Sequence, residues 1–278
     1  MTTTLITGAN KGLGFETARR LVAAGHTVYV GARDARRGGE AVERLNAGAG
    51  RLNAGDGVGR GRLNVDGGAG GLDAGGGAGG SGDGHAREAG RGEARSVLID
   101  VTDDDSVQAA VAVVREQAGR LDVLVNNAGI AGPGEPVGEI TVPDIRMVYE
   151  TNVFGVVRVT RAFLPLLESG DAPVVVNVGS GLGSLAVTTD PGRLESTIPA
   201  LAYASSKAAL NMITSQYAKA YPKIRINVVD PGYTATDFNA HSGVQTVEEG
   251  AEVIVRMALI GMDGPTGGYF DAAGPVPW

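Results

Sequence analysis

Leu5-Ile6-Thr7-Gly8-Ala9-Asn10-Lys11-Gly12-Leu13-Gly14 is the stretch on which the reading of the fold turns. A short apolar strand, Leu5-Ile6-Thr7, runs straight into glycines. From Leu13 to Ala24, apolar residues at Leu13, Ala18, Leu21 and Val22 then recur at helical spacing. Strand, glycine turn and helix are the opening of a βαβ unit. Glycines at Gly8, Gly12 and Gly14 would let the backbone approach a pyrophosphate seated at the positive end of the helix dipole, with Asn10, Lys11 and Leu13 completing the loop. The competing reading is a turn that serves only helix–strand packing.

Outward from this unit, strands are predicted at His26 to Gly31, Ser96 to Asp100, Leu121 to Asn126, Val174 to Val178, Ile224 to Val229 and Tyr269-Phe270. Helices are predicted over Asp34 to Leu45, Asp103 to Gly119, Asp144 to Glu168, Ala202 to Tyr221 and Val247 to Ile260. The continuous apolar runs suit strands buried on both faces of a parallel sheet. The alternation predicts an α/β fold, a doubly wound Rossmann-type parallel sheet of about seven strands with helices on both faces, in a single domain over residues 1–278. Such sheets bind ligands beyond the carboxyl ends of their strands, where the strand order reverses. The residues just after each strand are therefore where chemistry is sought.

The composition is that of a globular chain apart from its glycine. Of 45 glycines in 278 residues, 19 fall between Asn46 and Gly92. That segment carries a degenerate Arg-Leu-Asn repeat and no aromatic residue, so it buries too little apolar surface to offset the entropy of ordering and reads as a flexible insertion. A calcium-binding glycine-aspartate β-roll is the alternative, but the strict nonapeptide period is absent. The remaining chain, at 43% hydrophobic overall, can bury a substantial core. No cysteine is present, which excludes disulfides, thiolate zinc sites and a cysteine nucleophile, and no metal site is expected. A net charge of −7 argues against a nucleic-acid binder. The opening Met1-Thr-Thr-Thr-Leu-Ile has no basic or long apolar run, so a cytoplasmic protein without a membrane partner is expected.

Which dinucleotide would bind depends on the end of the second strand, where an acid meets the ribose 2′-hydroxyl and a base accommodates a 2′-phosphate. Here the strand ends Gly31-Ala32-Arg33, and Lys11 offers a second positive charge, so NADP(H) is favoured over NAD(H). The other reading of Arg33 is a solvated charge beside Asp34. Asp100-Val101 ends the third strand, where Asp100 either accepts a bond from the adenine amino group or caps the next helix. Asn126-Asn127-Ala128-Gly129 ends the fourth; its small residues let backbone pass close to a cofactor, and its amides bind a ribose or brace the sheet.

Tyr203-Ala-Ser-Ser-Lys207 is the most informative pentapeptide. A spacing of four on a helix stacks the two side chains on one face. An ammonium close to a phenol favours phenolate, lowering a pKa that starts at about 10 and making the tyrosine a usable proton donor and acceptor. Taken alone such a pair is a solvated helix face; beside a dinucleotide loop it becomes a catalytic pair.

With these motifs in order, and with Pro231-Gly232 after the sixth strand, the chain resembles the short-chain dehydrogenase/reductase family over nearly everything except 46–92. Within it, Asn10-Lys11-Gly12, Asp230-Pro-Gly-Tyr-Thr-Ala-Thr-Asp237 and the ending Pro275-Val-Pro-Trp278 look like carbonyl-reductase-like members. The resemblance implies NADPH and a tetrad completed by Ser180 and Asn152. Ser180 stands in Asn177-Val-Gly-Ser180, with Gly179 where the family often has a first serine and Ser184 as the backup candidate. Asn152, in Thr151-Asn152-Val-Phe-Gly155, is implied to hold a water linking Lys207 to solvent. Lys207 is implied to bind the nicotinamide ribose, and Thr234 and Thr236 to meet the carboxamide.

The implied activity is hydride transfer to a ketone or aldehyde with Tyr203 as general acid. The alternative is a cofactor-binding regulatory or sensor protein without turnover. Leu182, Leu185, Tyr233 and Phe238 either wall an apolar substrate pocket or belong to the core. Twenty-two residues separate Ser180 from Tyr203, and monomer and homo-oligomer both stay open.

Overall fold

The structure is a computed structural model that describes residues 1–52 and 92–278. Its centre is a seven-stranded, all-parallel sheet: β1 (Thr3–Ile6), β2 (Thr27–Ala32), β3 (Glu93–Leu98), β4 (Val123–Asn126), β5 (Val174–Val178), β6 (Arg225–Val229) and β7 (Tyr269–Phe270). The order across the sheet is β3-β2-β1-β4-β5-β6-β7. The chain winds outward from β1 to one edge, returns, and winds from β4 to the other. The crevice at the carboxyl ends of β1 and β4 is therefore the switch point of a doubly wound sheet.

Eight helices lie between the strands among the described residues: α1 (Gly12–Ala23), α2 (Ala35–Leu52), α3 (Asp104–Ala118), α4 (Val142–Tyr149), α5 (Gly155–Leu167), the short α6 (Leu185–Thr188), α7 (Leu201–Ala220) and α8 (Val247–Ala258). Period-two alternation splits each strand between two cores. Leu5, Tyr29, Leu124, Val175 and Ile226 face α3, α5 and α7 with Val107, Val111, Val159, Phe163 and Ala218. Their neighbours Ile6, Val28, Val30, Val125 and Val176 face α1, α2 and α8 with Ala18, Leu21, Leu45, Ile254 and Met257. Layers of helix on both faces bury the central strands completely, which is why β4 and β5 are valine-rich without a polar face.

Three elements depart from the sequence expectation. Helix α2 continues to Leu52 and not to Leu45, so the glycine-rich segment begins as helix. Asn46 explains part of this, since its Nδ2 donates to the Ala94 carbonyl at 3.0 Å and its Oδ1 accepts from the Ala94 N–H at 2.9 Å. That two-way bond stitches α2 to β3, which itself starts at Glu93 because Glu93, Ala94 and Arg95 pair with Thr27, Val28 and Tyr29. The remainder of the expected insertion, 53–91, with the β-roll alternative, lies outside the described residues. Finally, the single helix expected over Asp144 to Glu168 is interrupted by a π-helical turn at Glu150–Phe154 between α4 and α5.

Candidate active site

A cleft of about 790 Å³ opens at the carboxyl edge of the sheet. Its walls come from the turns after β1, β2, β3, β4, β5 and β6 and from the start of α7. Every residue assigned above to the cofactor lines it, and so does Ser180; Asn152 does not.

The floor is the glycine turn. Gly8 and Gly12 have φ of +64° and +56°, a region open to glycine but strained for other residues. At Gly14 a Cβ would lie 2.5 Å from Asn127 Nδ2 and 2.9 Å from the Gly8 carbonyl oxygen, so the helix can sit this close to the turn only without a side chain. Asn127 braces this arrangement: its Nδ2 donates to the Thr7 and Gly8 carbonyls at 2.9 and 3.1 Å. Thr7 Oγ1 accepts in turn from the Asn127 and Ala128 N–H groups at 3.0 Å each. Of the two roles open to the asparagine amides, bracing is the one in place. The first turn of α1 has no side-chain cap, which leaves its N–H donors directed at the cleft.

At one end of the cleft stand Arg33 and Asp100. Arg33 is exposed and makes no ion pair among the described residues, while the neighbouring Asp34 accepts the Arg37 N–H at 2.9 Å and so caps α2. Asp100 does not cap α3. Asp103 does that, accepting from the Asp105 and Ser106 N–H groups. One Asp100 oxygen, Oδ1, takes the N–H and Oγ1 of Thr102 at 2.9 and 2.7 Å. These two bonds, helped by Arg33 and Arg158, hold its carboxyl below the ordinary range. Lys11 is not free to act alone, because its Nζ meets Asp237 at 2.8 Å across the mouth of the cleft, and His241 approaches the same carboxylate at 2.9 Å.

The other end gathers the reactive side chains. Ser180 sits at the end of β5 as the cap of a short 3-10 turn, Gly181–Gly183. A Cβ at Gly183 would fall 2.7 Å from the Lys207 carbonyl carbon, so this glycine lets the serine turn lie against α7. Ser184 is excluded from the cleft: its hydroxyl donates to the Pro277 carbonyl at 2.7 Å and accepts the Val187 N–H at 3.1 Å. Gly179 stands where a paired serine was possible because a Cβ there would lie 2.5 Å from Val228 Cγ1.

On α7, Lys207 Nζ donates to the Val178 carbonyl at 2.7 Å and lies 5.6 Å from the centroid of the Tyr203 ring. Burial pushes the lysine down to about 8, with the Asp230 carboxylate pulling it back up. The expected lowering of the phenol is not what the structure gives. Burial of the hydroxyl end drives Tyr203 well above its ordinary value; the Ser180 hydroxyl opposes this and Asp230 adds to it. The reason is geometric, since Lys207 sits over the ring face and spends a proton donor on a carbonyl.

Asn152 lies on the π-helical turn, buried behind the cleft wall. Its Oδ1 accepts the Ile130 N–H at 2.9 Å, and its Nδ2 donates to the Ile130 carbonyl at 2.9 Å and to Ser206 Oγ at 3.0 Å. It thereby clamps the turn after β4 to α7, one residue before Lys207. After β6, Thr234 and Thr236 line the cleft, with Gly12 facing Thr236 across it at ordinary contact distance for an added Cβ. Leu182, Tyr233 and Phe238 form part of an apolar wall, Phe238 packing on the Tyr203 ring at 5.5 Å between centroids. Leu185 points away and is 74% exposed.

Sequence reasoning missed Asp230. It is a buried carboxylate on the cleft wall, at the end of a strand where the residues that follow, Pro231-Gly232 with Thr234 and Thr236, were given the roles. Thr151 and Ile130 on the wall were likewise passed over; nothing in their residue types marks them.

No helix among the described residues is long and apolar enough to cross a membrane. The sequence profile described as short chain dehydrogenase matches residues 2–54 and 84–246. Among curated relatives, the (−)-isopiperitenone reductase of Mentha piperita is 31% identical, over 96% of this chain and 95% of its own. The (+)-neomenthol dehydrogenase of Capsicum annuum is 29% identical, over 96% and 94%. Among solved structures, salutaridine reductase of Papaver somniferum superimposes with a TM-score of 0.70 at 27% identity, covering 98% of this chain and all of the other.

Proposed function

The chain belongs to the short-chain dehydrogenase family, and from that premise we propose that it is an NADP(H)-dependent oxidoreductase that reduces a ketone or aldehyde. In this reading residues 1–278 form one NAD(P)-binding domain. The observation that carries it is the convergence of Ser180, Tyr203 and Lys207, from β5 and α7, at one end of a cleft whose floor is a side-chain-free glycine turn. The residues fit a dinucleotide: Gly14 is a position that a Cβ would fill, and the uncapped start of α1 offers N–H donors to a pyrophosphate. Arg33, unpaired among the described residues, offers a charge to a 2′-phosphate, and Asp100 keeps Oδ2 for an adenine amino group.

When bound, NADPH supplies the hydride that reaches the carbonyl carbon. Ser180 donates a hydrogen bond to the carbonyl oxygen, and Tyr203 transfers its proton to that oxygen as charge develops there. A phenol held above its ordinary pKa stays protonated at neutrality, the state that a proton donor needs. Lys207 holds the ribose hydroxyls and, as an ammonium, stabilises the phenolate left behind. Asn152 fixes the turn after β4 and, through Ser206, the first turns of α7. The apolar wall of Leu182, Tyr233 and Phe238 favours an uncharged substrate.

The test follows NADPH absorbance across a panel of aromatic and aliphatic ketones and aldehydes, repeated with NADH. Turnover by the wild type and its loss in Tyr203→Phe, with NADPH still bound, is the expected result. Comparable turnover in the variant sinks the assignment of Tyr203. Tight NADPH binding with no turnover across the panel supports a sensor instead.

A further inference from the structure

Asp230 is the buried ionisable group at the cleft that the reaction above leaves without a task. It is only 7% exposed, at the carboxyl end of β6. The other buried acidic and basic side chains among the described residues have evident partners: Glu16 binds Arg19 and Arg20, Asp122 accepts the Thr3 N–H, His26 meets Thr4, and Lys207 meets the Val178 carbonyl. Asp230 makes no ion pair among the described residues. It is held instead by backbone: its Oδ1 accepts the Gly232 N–H at 2.9 Å, and its Oδ2 lies against Gly181, 3.0 Å from where a Cβ on that residue would stand. A buried carboxylate without a counter-ion is costly, and such groups concentrate where a site needs them.

These two contacts have a clear geometric meaning. Gly181 follows Ser180 in the turn after β5; Gly232 follows Pro231 in the turn after β6. Asp230 is the strut between these turns. The fit around it is close, because a Cβ at Gly181 would lie 3.0 Å from Asp230 Oδ2 and 2.7 Å from Glu195 Oε1. Resting on the functional reading above, we propose that Asp230 is a positioning residue for carbonyl reduction: its carboxylate holds the Ser180 turn in register with α7 and sets the electrostatic field on Tyr203 and Lys207.

The groups facing it come from every neighbouring element. Tyr203 and Lys207 lie on α7, Glu195 on the turn before α7, and Asp271 just after β7. Tyr269 on β7 also feels its charge, and Arg193, a cation of this neighbourhood besides Lys207, is drawn to Glu195 at 3.3 Å. The negative charge of Asp230 favours the protonated forms of both Tyr203 and Lys207. Burial raises Asp230 above the ordinary carboxylate range, the Gly232 and Gly181 N–H groups oppose this, and Glu195 and Asp271 add to it.

Asp230→Asn removes the charge and keeps the shape. The expected result is a protein that still binds NADPH, with kcat reduced about ten- to a hundredfold, as for a reacting group shifted by a fraction of an ångström. The alkaline limb of its kcat profile moves to lower pH, because both titrating groups lose a carboxylate that favours their protons. A purely structural role would leave that limb in place, so a limb that stays put overturns the proposal. Should Asp230→Asn fail to fold, Gly181→Ala presses on both carboxylates without removing either; there kcat should fall with KM for NADPH unchanged, and an unchanged kcat overturns the proposal. The two readings fail separately. Wild-type turnover by Tyr203→Phe removes the functional reading and this one with it, whereas an inactive Tyr203→Phe beside an unshifted Asp230→Asn removes only the strut.

Discussion

Gly14→Ala tests whether the glycine turn is a cradle or only a turn. The added methyl would lie 2.5 Å from Asn127 Nδ2 and 2.9 Å from both Ala9 Cα and the Gly8 carbonyl oxygen. Two of these neighbours are backbone, and the Ala9 N–H is pinned to the Gly31 carbonyl at 2.9 Å, so they cannot swing aside. Asn127 can, but only by giving up its bonds to the Thr7 and Gly8 carbonyls. Overpacking costs about 1–3 kcal/mol, and each lost neutral hydrogen bond about 1 kcal/mol. A total near 3 kcal/mol lowers Tm by roughly 6–12 °C in a chain of this size.

If part of the strain is relieved by moving the turn, NADPH affinity falls by on the order of tenfold for each 1.4 kcal/mol of mispositioning. The internal control is Gly39→Ala on α2, where an added Cβ meets nothing within 4 Å. There the same chemical change should stabilise by about 0.5–1 kcal/mol, because alanine is the better helix former. Thermal melts and NADPH titration by fluorescence decide the matter. A Gly14→Ala protein with unchanged Tm and unchanged NADPH affinity would refute the reasoning, as would two variants that shift in the same direction.

Arg33→Ala should raise KM for NADPH about ten- to a hundredfold and leave KM for NADH nearly unchanged, since a partly solvated charge pair is worth about 1–4 kcal/mol; equal effects on both cofactors would make Arg33 a bystander. For the free enzyme, kcat/KM for NADPH should fall as pH rises through about 8, where Lys207 loses its proton and its charge. The sign follows from burial, which disfavours the ammonium, and a profile flat across this range contradicts it. Deleting 55–83, the stretch between the two matched family segments, should leave ketone turnover intact, checked by steady-state assay of a protein confirmed folded by circular dichroism. That deletion leaves Asn46, which carries the bonds to Ala94, in place.

Much of this was legible in the chain because it rests on local spacing. The strand and glycine turn from Leu5 to Gly14 and the four-residue step from Tyr203 to Lys207 are decided by neighbours in sequence; the structure puts Leu5 and Ile6 in the core and Gly8, Gly12, Gly14, Tyr203 and Lys207 on one cleft. Choices that depend on distant partners were not legible. Ser180 and Ser184 are chemically equal in sequence, and only the Pro277 carbonyl, far along the chain, removes the second from contention. Glycines made α2 look finished at Leu45, since glycine is a poor helix former, yet a side chain bonded to β3 helps carry it further. The upward shift of Tyr203 could not be read from a Tyr–Lys spacing because it is set by burial, which depends on the whole fold and outweighs the Ser180 hydroxyl. Asp230 was hidden for the same reason: its surroundings are assembled from turns after two strands and from α7.

The π-helical turn at Glu150–Phe154 makes this stretch sensitive to length more than to side-chain identity. Each residue of an ordinary helix advances the azimuth by about 100°, so the wide turn absorbs one residue and leaves what lies downstream in phase. With that phase, Asn152 reaches Ile130, Arg158 reaches the Val101 carbonyl at 2.7 Å, and Val159, Phe163 and Leu167 face the sheet. Excising a single residue there would let the turn close to ordinary α-helical width, keeping α5 near its present phase but swinging Asn152 by about 100° away from Ile130. Variation among homologous chains at this point should therefore run through substitutions, with insertions and deletions displaced to the turns on either side.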